Sequence, residues 1–352
     1  FGTIENGFYL KRKNTEYFKL ATRLCRDEIK KTEISYFDIF DNGLMLFSNF
    51  KGLFCCNDYS NLTPGCAQKL NSMASASIYP LDGRYCLVSN ADSIYMFDSH
   101  TKKLSWVMNS SATSIASQDK NGIIWIGSWV GIITGYNPKT RTTCSLYVDI
   151  VKKTKIPVSF LYADNDGSLW VGTVSAGLIH IINPTDKHPV YEQFSTKSNG
   201  ENSICSNIIH CIYPDDLDNL WIGTNGGGVS KLNKRTKTFE NLTEQNGLIS
   251  NNIESLIVDK LGNIWIASNV LTKYDTTRKI FTHYSEIDGV EAGFVWRQAK
   301  RAADGLLLYV NKKGIVVFDP AKLPSRKEVT KPILTGLRIR GVSIKVGDSI
   351  DG

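Results

Sequence analysis

The sequence predicts an all-β fold, a seven-bladed β-propeller, on three observations. A short apolar strand centred on Trp or a stand-in recurs about every 44 residues. Each copy follows a hairpin-type turn and is mostly succeeded by a glycine able to open another strand. No stretch shows a convincing 3.6-residue helical period.

The strand reads Ile124-Trp125-Ile126-Gly127-Ser128, Leu169-Trp170-Val171-Gly172-Thr173, Leu220-Trp221-Ile222-Gly223-Thr224 and Ile264-Trp265-Ile266-Ala267-Ser268. Weaker copies are Met45-Leu46-Phe47-Ser48, Tyr85-Cys86-Leu87-Val88-Ser89 and Leu307-Leu308-Tyr309-Val310-Asn311. Aligned on their turns, they place residues 46, 86, 125, 170, 221, 265 and 308 at the Trp position, with spacings of 40, 39, 45, 51, 44 and 43. That is the period of a propeller or solenoid unit.

Turn chemistry marks the rest of each unit. Asp41-Asn42-Gly43, Asp82-Gly83, Asn121-Gly122, Asp166-Gly167, Asp218-Asn219, Gly262-Asn263 and Asp304-Gly305 precede the core strand and favour tight hairpins. Gly52, Gly131, Gly177, Gly228 and Gly314 open a third strand. It ends at Asp98, Asn137-Pro138, Asn183-Pro184, Asn233, Asp275 or Asp319-Pro320, residues suited to type I turns. A fourth strand follows with Trp106, Tyr147, Phe194, Phe239 or Phe281. Four hairpin-linked strands per unit make a propeller blade. Trp125, Trp170, Trp221 and Trp265 are therefore expected in the structural core between blades, with the glycine two places on allowing neighbouring sheets to approach.

The ends depart from the pattern. Phe1-Gly2-Thr3, Gly7-Phe8-Tyr9-Leu10 and Tyr17-Phe18 read as the back half of a further repeat, while the last copy lacks an aromatic fourth strand after Asp319-Pro320. N-terminal strands are thus expected to complete the final blade within a propeller spanning 1–323; an eight-bladed ring is the alternative. Residues 324–352 read as a linker and the start of a truncated β-sandwich, because Lys331 to Val342 alternates with period two and carries no blade signature.

The chain has 352 residues and a formal charge of +7. Residues 10–31 carry +5 and residues 322–345 carry +6, so the body is mildly acidic at −4 and its composition gives no support to a phosphate-binding surface there. No apolar run approaches the roughly 18 residues of a membrane helix. Phe at position 1 is expected of a piece of a longer protein. The eight cysteines contain no C-x-x-C and no zinc spacing, and most read as small buried hydrophobes. One or two disulfides remain open, with Cys55-Cys56 too close in sequence for an ordinary bridge.

Candidate chemistry is sparse. Asp164-Asn165-Asp166-Gly167 resembles the opening of a calcium loop but lacks the later Glu, and it occupies a hairpin slot. Asp215-Asp216 with Asp218 is a possible carboxylate pair in the same slot, read here as a solvated turn facing away from the expected pocket. No metal site, cofactor or catalytic residue is expected. His210, near the start of an inner strand, is a candidate ligand contact or a plain channel residue. Trp129 and Trp296, outside the core slot, and Arg297 are exposed candidates for stacking on sugar faces and holding carboxylate or sulfate. They share a rim with Asn49, Lys51, Asn90, Asp92, Asn225 and Asn269, residues that vary among copies while the opposite rim repeats its turn chemistry.

The pattern D-x-x-G-N-[IL]-W-[IV]-G-T-x-x-G-G, seen best at 216–228, 164–173 and 259–268, resembles the two-component regulator propeller repeat. The segment from Lys331 to Ile344 is similar to the entry of the Ig-like sandwich that follows this propeller in periplasmic sensors of Bacteroides hybrid two-component systems. The resemblance implies an extracytoplasmic, periplasmic sensor region that recognises a glycan fragment and signals across the membrane to control glycan-utilisation genes. It implies an oligosaccharide ligand, a companion propeller, a homodimeric full-length receptor and a histidine kinase outside this segment. It implies no nucleic-acid contact here, and membrane contact only through a downstream segment. The alternatives are a propeller lyase or hydrolase and a pure protein-interaction scaffold.

Overall fold

The computed structural model describes residues 3–4, 7–8, 17–21, 24–25, 34–109, 113–146, 148, 155–197, 202–323, 337–339 and 342–344. Seven four-stranded antiparallel sheets form a seven-bladed propeller. Blades one to six run through 36–71, 77–109, 113–146, 158–194, 209–242 and 255–284, each with its strands in chain order. The seventh is built from Phe294–Arg301, Leu307–Asn311 and Gly314–Phe318, and Phe18–Ala21 supplies its fourth strand. Phe18 lies opposite Phe318 and Ala21 opposite Ile315 in that pairing, so the ring is closed by residues from both ends of the propeller. Thr3–Ile4 and Gly7–Phe8 form a separate two-stranded ribbon. Among the described residues the only helical pieces are three 3₁₀ turns.

Contacts divide the chain into two units, Phe1–Ala321 and Lys322–Gly352. In the second, Leu337–Ile339 pairs antiparallel with Val342–Ile344. The remainder of the expected sandwich entry lies outside the described residues, as does Tyr147.

Each Trp of the core strand is buried, between 0% and 2% exposed at Trp125, Trp170, Trp221 and Trp265. Each faces the next blade: Trp170 packs in one cluster with Leu220 and Ile222, and Trp221 with Ile264 and Ile266. By the same criterion the second blade needs a correction. Leu87, not Cys86, faces Ile124 and Ile126 of the following blade, while Cys86 packs with Leu46 behind it. Strand residues alternate faces, so a slip of one residue exchanges them. The hairpin explains the slip, since Gly122 has φ +83° and the corresponding position is Arg84 rather than Gly83.

A carboxylate, buried at Asp119, Asp164 and Asp259 and half-buried at Asp215, accompanies each of these four tryptophans. The indole Nε1 of Trp125 donates to Asp119 at 3.1 Å, Trp170 to Asp164 at 3.2 Å, and Trp221 and Trp265 to Asp215 and Asp259 at 2.9 Å each. The spacing is six residues in all four. Where the slot holds Leu46, Leu87 or Leu308, the sixth residue before it is Phe40, Leu81 or Ala302. The carboxylate is present only where an indole N–H helps satisfy it, as the cost of burying unpaired polar groups demands.

The glycine two places after the Trp is required by the neighbouring blade. A Cβ at Gly172 would lie 2.7 Å from Ile209 Cγ2, and one at Gly127 2.7 Å from Val158 Cγ1. Gly172→Ala is expected to destabilise by about 1–3 kcal/mol through overpacking, read as a lower urea midpoint at unchanged m.

Candidate functional site

The innermost strands enclose an axial cavity of about 340 Å3, lined by all seven blades through residues such as Tyr36, Ile78, Ile115, Phe160, Cys211, Ser255 and Arg297. Its lining mixes aromatic and aliphatic side chains with the cations Arg297, Lys300 and Arg301.

At one mouth of this channel, side chains from the third, fifth and seventh blades meet. No two of these blades are neighbours in the ring, so the contacts form over the axis. The Trp129 and Trp296 ring centres are 5.9 Å apart, and the His210 and Trp296 centres 5.0 Å apart. The Arg297 guanidinium lies 3.6 Å from the Trp296 ring centre and 5.9 Å from that of Trp129, within cation–π range. Asn225 Nδ2 reaches His210 Nε2 at 3.4 Å. Of the expected rim candidates, Trp129, Trp296, Arg297, His210 and Asn225 therefore share one cluster. Asn269 is exposed on the equivalent loop of the sixth blade.

An irregular strand positions the cluster. Along Phe294–Arg301, Phe294 pairs with Asn311 but Ala299 with Tyr309, so three extra residues are looped out. The inner strands of the third, fourth and fifth blades each loop out one. Such bulges bend a strand and re-aim its side chains. Here the bulge is tied on both sides: Arg297 N donates to Glu254 O of the sixth blade at 2.9 Å, and Phe37 N of the first blade donates to Gln298 Oε1 at 3.0 Å. Arg297 adopts φ +60°, a left-handed conformation uncommon for a non-glycine residue. Contrary to the sequence expectation, Trp296 and Arg297 are only partly exposed, because the bulge turns them inward; Trp129 is 39% exposed.

Electrostatics fix the protonation of the mouth. Burial pulls the Arg297 pKa down to about 10, which leaves it charged at neutral pH. Burial also lowers His210 below the ordinary histidine value. His210 Nδ1 lies 2.8 Å from Ile253 O, so this nitrogen donates and Nε2 is the acceptor that meets Asn225. The mouth thus offers a cation, flat aromatic faces and an amide.

The opposite rim is not merely solvated turns. Asp164, Asp166, Asp215, Asp216 and Asp218 line a groove of about 700 Å3 with Lys234 and Arg301. Lys234 Nζ bridges Asp164 at 2.8 Å and Asp218 at 2.7 Å, and Asp164 and Asp215 hold the indoles described above. Their oxygens serve the fold. Among the described residues no group of three His, Cys, Asp or Glu side chains is arranged for a metal ion.

The two-component regulator propeller model matches residues 203–226 and 247–270, the entry and core strands of the fifth and sixth blades. A histidine kinase of Formosa agariphila, "Histidine kinase P4", is 30% identical over 108 residues, covering 30% of this chain and 8% of that protein. Among solved structures, the extracellular domain of a one-component system from B. thetaiotaomicron superposes with a TM-score of 0.66 at 15% identity, over 87% of this chain and 40% of that one. A streptogramin B lyase superposes with a TM-score of 0.63 at 12% identity, over 86% of this chain and 96% of that one. These superpositions show the shared propeller fold. The chain spans less than half of the one-component system domain and a small fraction of the kinase. The fifth and sixth blades of this chain therefore carry the two matches to the two-component regulator propeller repeat.

Proposed function

We propose that this chain is the extracytoplasmic ligand-sensing propeller of a two-component sensor, and that it recognises a glycan fragment at the channel mouth. The convergence of Trp129, Trp296, Arg297, His210 and Asn225 from three non-adjacent blades carries the reading. A rim assembled across the axis senses relative blade position, so a ligand bridging it changes the free energy of any state in which the blades move. Flat indoles suit the C–H faces of sugars, and the guanidinium suits a carboxylate or sulfate. The repeat family supports the sensor role. The match to a histidine kinase and the fold shared with an extracellular domain support a place outside the membrane. No helix among the described residues is long and apolar enough to cross a membrane.

Calorimetry against neutral, carboxylated and sulfated oligosaccharides tests the proposal. Binding heat with the wild type, lost in Trp129→Ala, supports it. No heat from any member of the panel sinks it.

One observation favours a second reading, docking of a companion propeller or a second subunit. Phe50, Val130, Ile132, Ile208 and Ile249 are exposed apolar side chains on loops of this same rim. Homodimerisation measured by analytical ultracentrifugation, without any glycan heat, would favour that scaffold role. Turnover of a glycan in the presence but not the absence of a divalent cation would instead favour an enzyme.

A further inference from the structure

The first blade gathers Cys25, Cys56 and Cys66 in one apolar cluster with Leu24, Met45 and Phe54. The sulfurs of Cys56 and Cys66 are 2.8 Å apart, well inside the roughly 3.5–4.0 Å of ordinary non-bonded contact between heavy atoms. We propose that Cys56 and Cys66 form a disulfide when the domain resides in an oxidising compartment. This inference does not rest on the sensor reading.

The chain path gives the bond a task. Cys56 ends the strand Gly52–Cys56, and Cys66 stands just before Gln68–Asn71. In the third and fifth blades the same connection is the short turn 138–141 or 234–237, whereas here it is the excursion 57–67. A short turn fixes its strands by its own hydrogen bonds; a longer excursion leaves more chain entropy, which a cross-link removes. The excursion also meets the ring closure. Ala67 N donates to Leu24 O at 2.9 Å, three residues beyond the closing strand Phe18–Ala21. A bond between Cys56 and Cys66 therefore staples the point at which the N-terminal segment enters the ring.

Of the neighbouring thiols, Cys55 points to the opposite face of its strand and packs with Leu46 and Phe97. Cys25 shares the cluster and is the competing partner. Cys56 is buried and Cys66 half-buried, so Cys66 is the sulfur an oxidant reaches. The hydrogen bond between the two sulfurs holds the Cys66 pKa below the ordinary thiol value and favours its thiolate. The oxidant is a disulfide, either of a thiol–disulfide oxidoreductase or of glutathione. Cys66 thiolate attacks one of its sulfurs, forming a mixed disulfide and expelling the other as thiolate. Cys56 then loses its proton and attacks Cys66 Sγ, expelling the second oxidant sulfur. The two cysteines lose two electrons and two protons, and the oxidant disulfide becomes two thiols.

The test uses the wild-type chain produced by export to an oxidising compartment, or incubated with oxidised glutathione. Free thiols are alkylated before digestion without reductant. Trypsin releases 52–69, which holds Cys55, Cys56 and Cys66 together. Cleavage before Asp58 splits it into two pieces that only a disulfide keeps joined. The expected product is this joined pair, lighter by two hydrogens than the separated pieces, with fragmentation placing the link at Cys56. Reduction is expected to lower Tm by about 5 °C. Cys66→Ser should melt like the reduced protein and no longer respond to reductant, while Cys205→Ser should keep the full response. Alkylation of both Cys56 and Cys66 after oxidation, or a link from Cys66 to Cys25 or Cys55, overturns the proposal.

Discussion

Trp265→Ala is expected to lower the stability of the propeller by about 3–5 kcal/mol. The indole is fully buried, stacks 5.5 Å from Tyr284 and packs 4.9 Å from Phe318 of the next blade, so its removal opens a cavity at a blade interface. The informative experiment pairs this site with Asp259. Asp259 accepts from Leu261 N, Asn263 N, Asn263 Nδ2 and Trp265 Nε1, all at about 2.9 Å. Asp259→Ala orphans several of those donors at once, each worth about 1–3 kcal/mol when left unsatisfied in the interior. Trp265→Phe removes the indole N–H while keeping an aromatic ring. If the carboxylate and the indole act as a unit, Asp259→Ala costs less in the Trp265→Phe background, with a coupling of about 1–3 kcal/mol. Additive losses in chemical denaturation would show that the six-residue pairing is incidental to stability.

That pairing was present in the sequence, because Asp119, Asp164, Asp215 and Asp259 each precede a tryptophan by six residues. Reading Asp164 and Asp215 for metal or acid–base chemistry hid it. Blade architecture was legible because hairpin turns and a period of about 44 residues are local signals. The Leu87 correction shows their limit: Asp82-Gly83 imitates Asn121-Gly122 one position early, and only the packing face separates the two registers. At the site, the residues that break the repeat were legible one by one, and five of them, Trp129, His210, Asn225, Trp296 and Arg297, meet in one cluster. Their meeting over the axis was not legible, because ring closure brings blades three, five and seven together across long sequence distances. The three-residue bulge at Trp296 and Arg297 was equally hidden. It is tied by hydrogen bonds to Glu254 and Phe37, beside it in the ring but distant in sequence. The Cys56–Cys66 approach depends on an excursion whose folded path no spacing rule supplies.

At the channel mouth, Arg297→Gly is expected to weaken binding of a carboxylated or sulfated glycan by about 10–150-fold, the loss of a charge-assisted contact of about 1.5–3 kcal/mol. Glycine is chosen because Arg297 sits at φ +60°, where glycine carries no steric penalty, so the substitution removes the guanidinium without straining the bulge. The backbone donation from residue 297 to Glu254 O is retained in the variant. Arg297→Lys keeps a charge but loses the planar fork and the stacking on Trp296, and should recover only part of the affinity. Trp129→Ala should weaken neutral and charged glycans alike, since an indole face contributes stacking whatever the ligand charge. It lies on an exposed loop, so its folding cost should stay within about 1 kcal/mol. The three variants therefore separate charge recognition from sugar stacking in one calorimetric series, with thermal melts run alongside. Binding left intact by both Arg297→Gly and Trp129→Ala would remove the site from this rim. Loss of binding that tracks a fall in Tm would assign the residues to the blade interfaces instead.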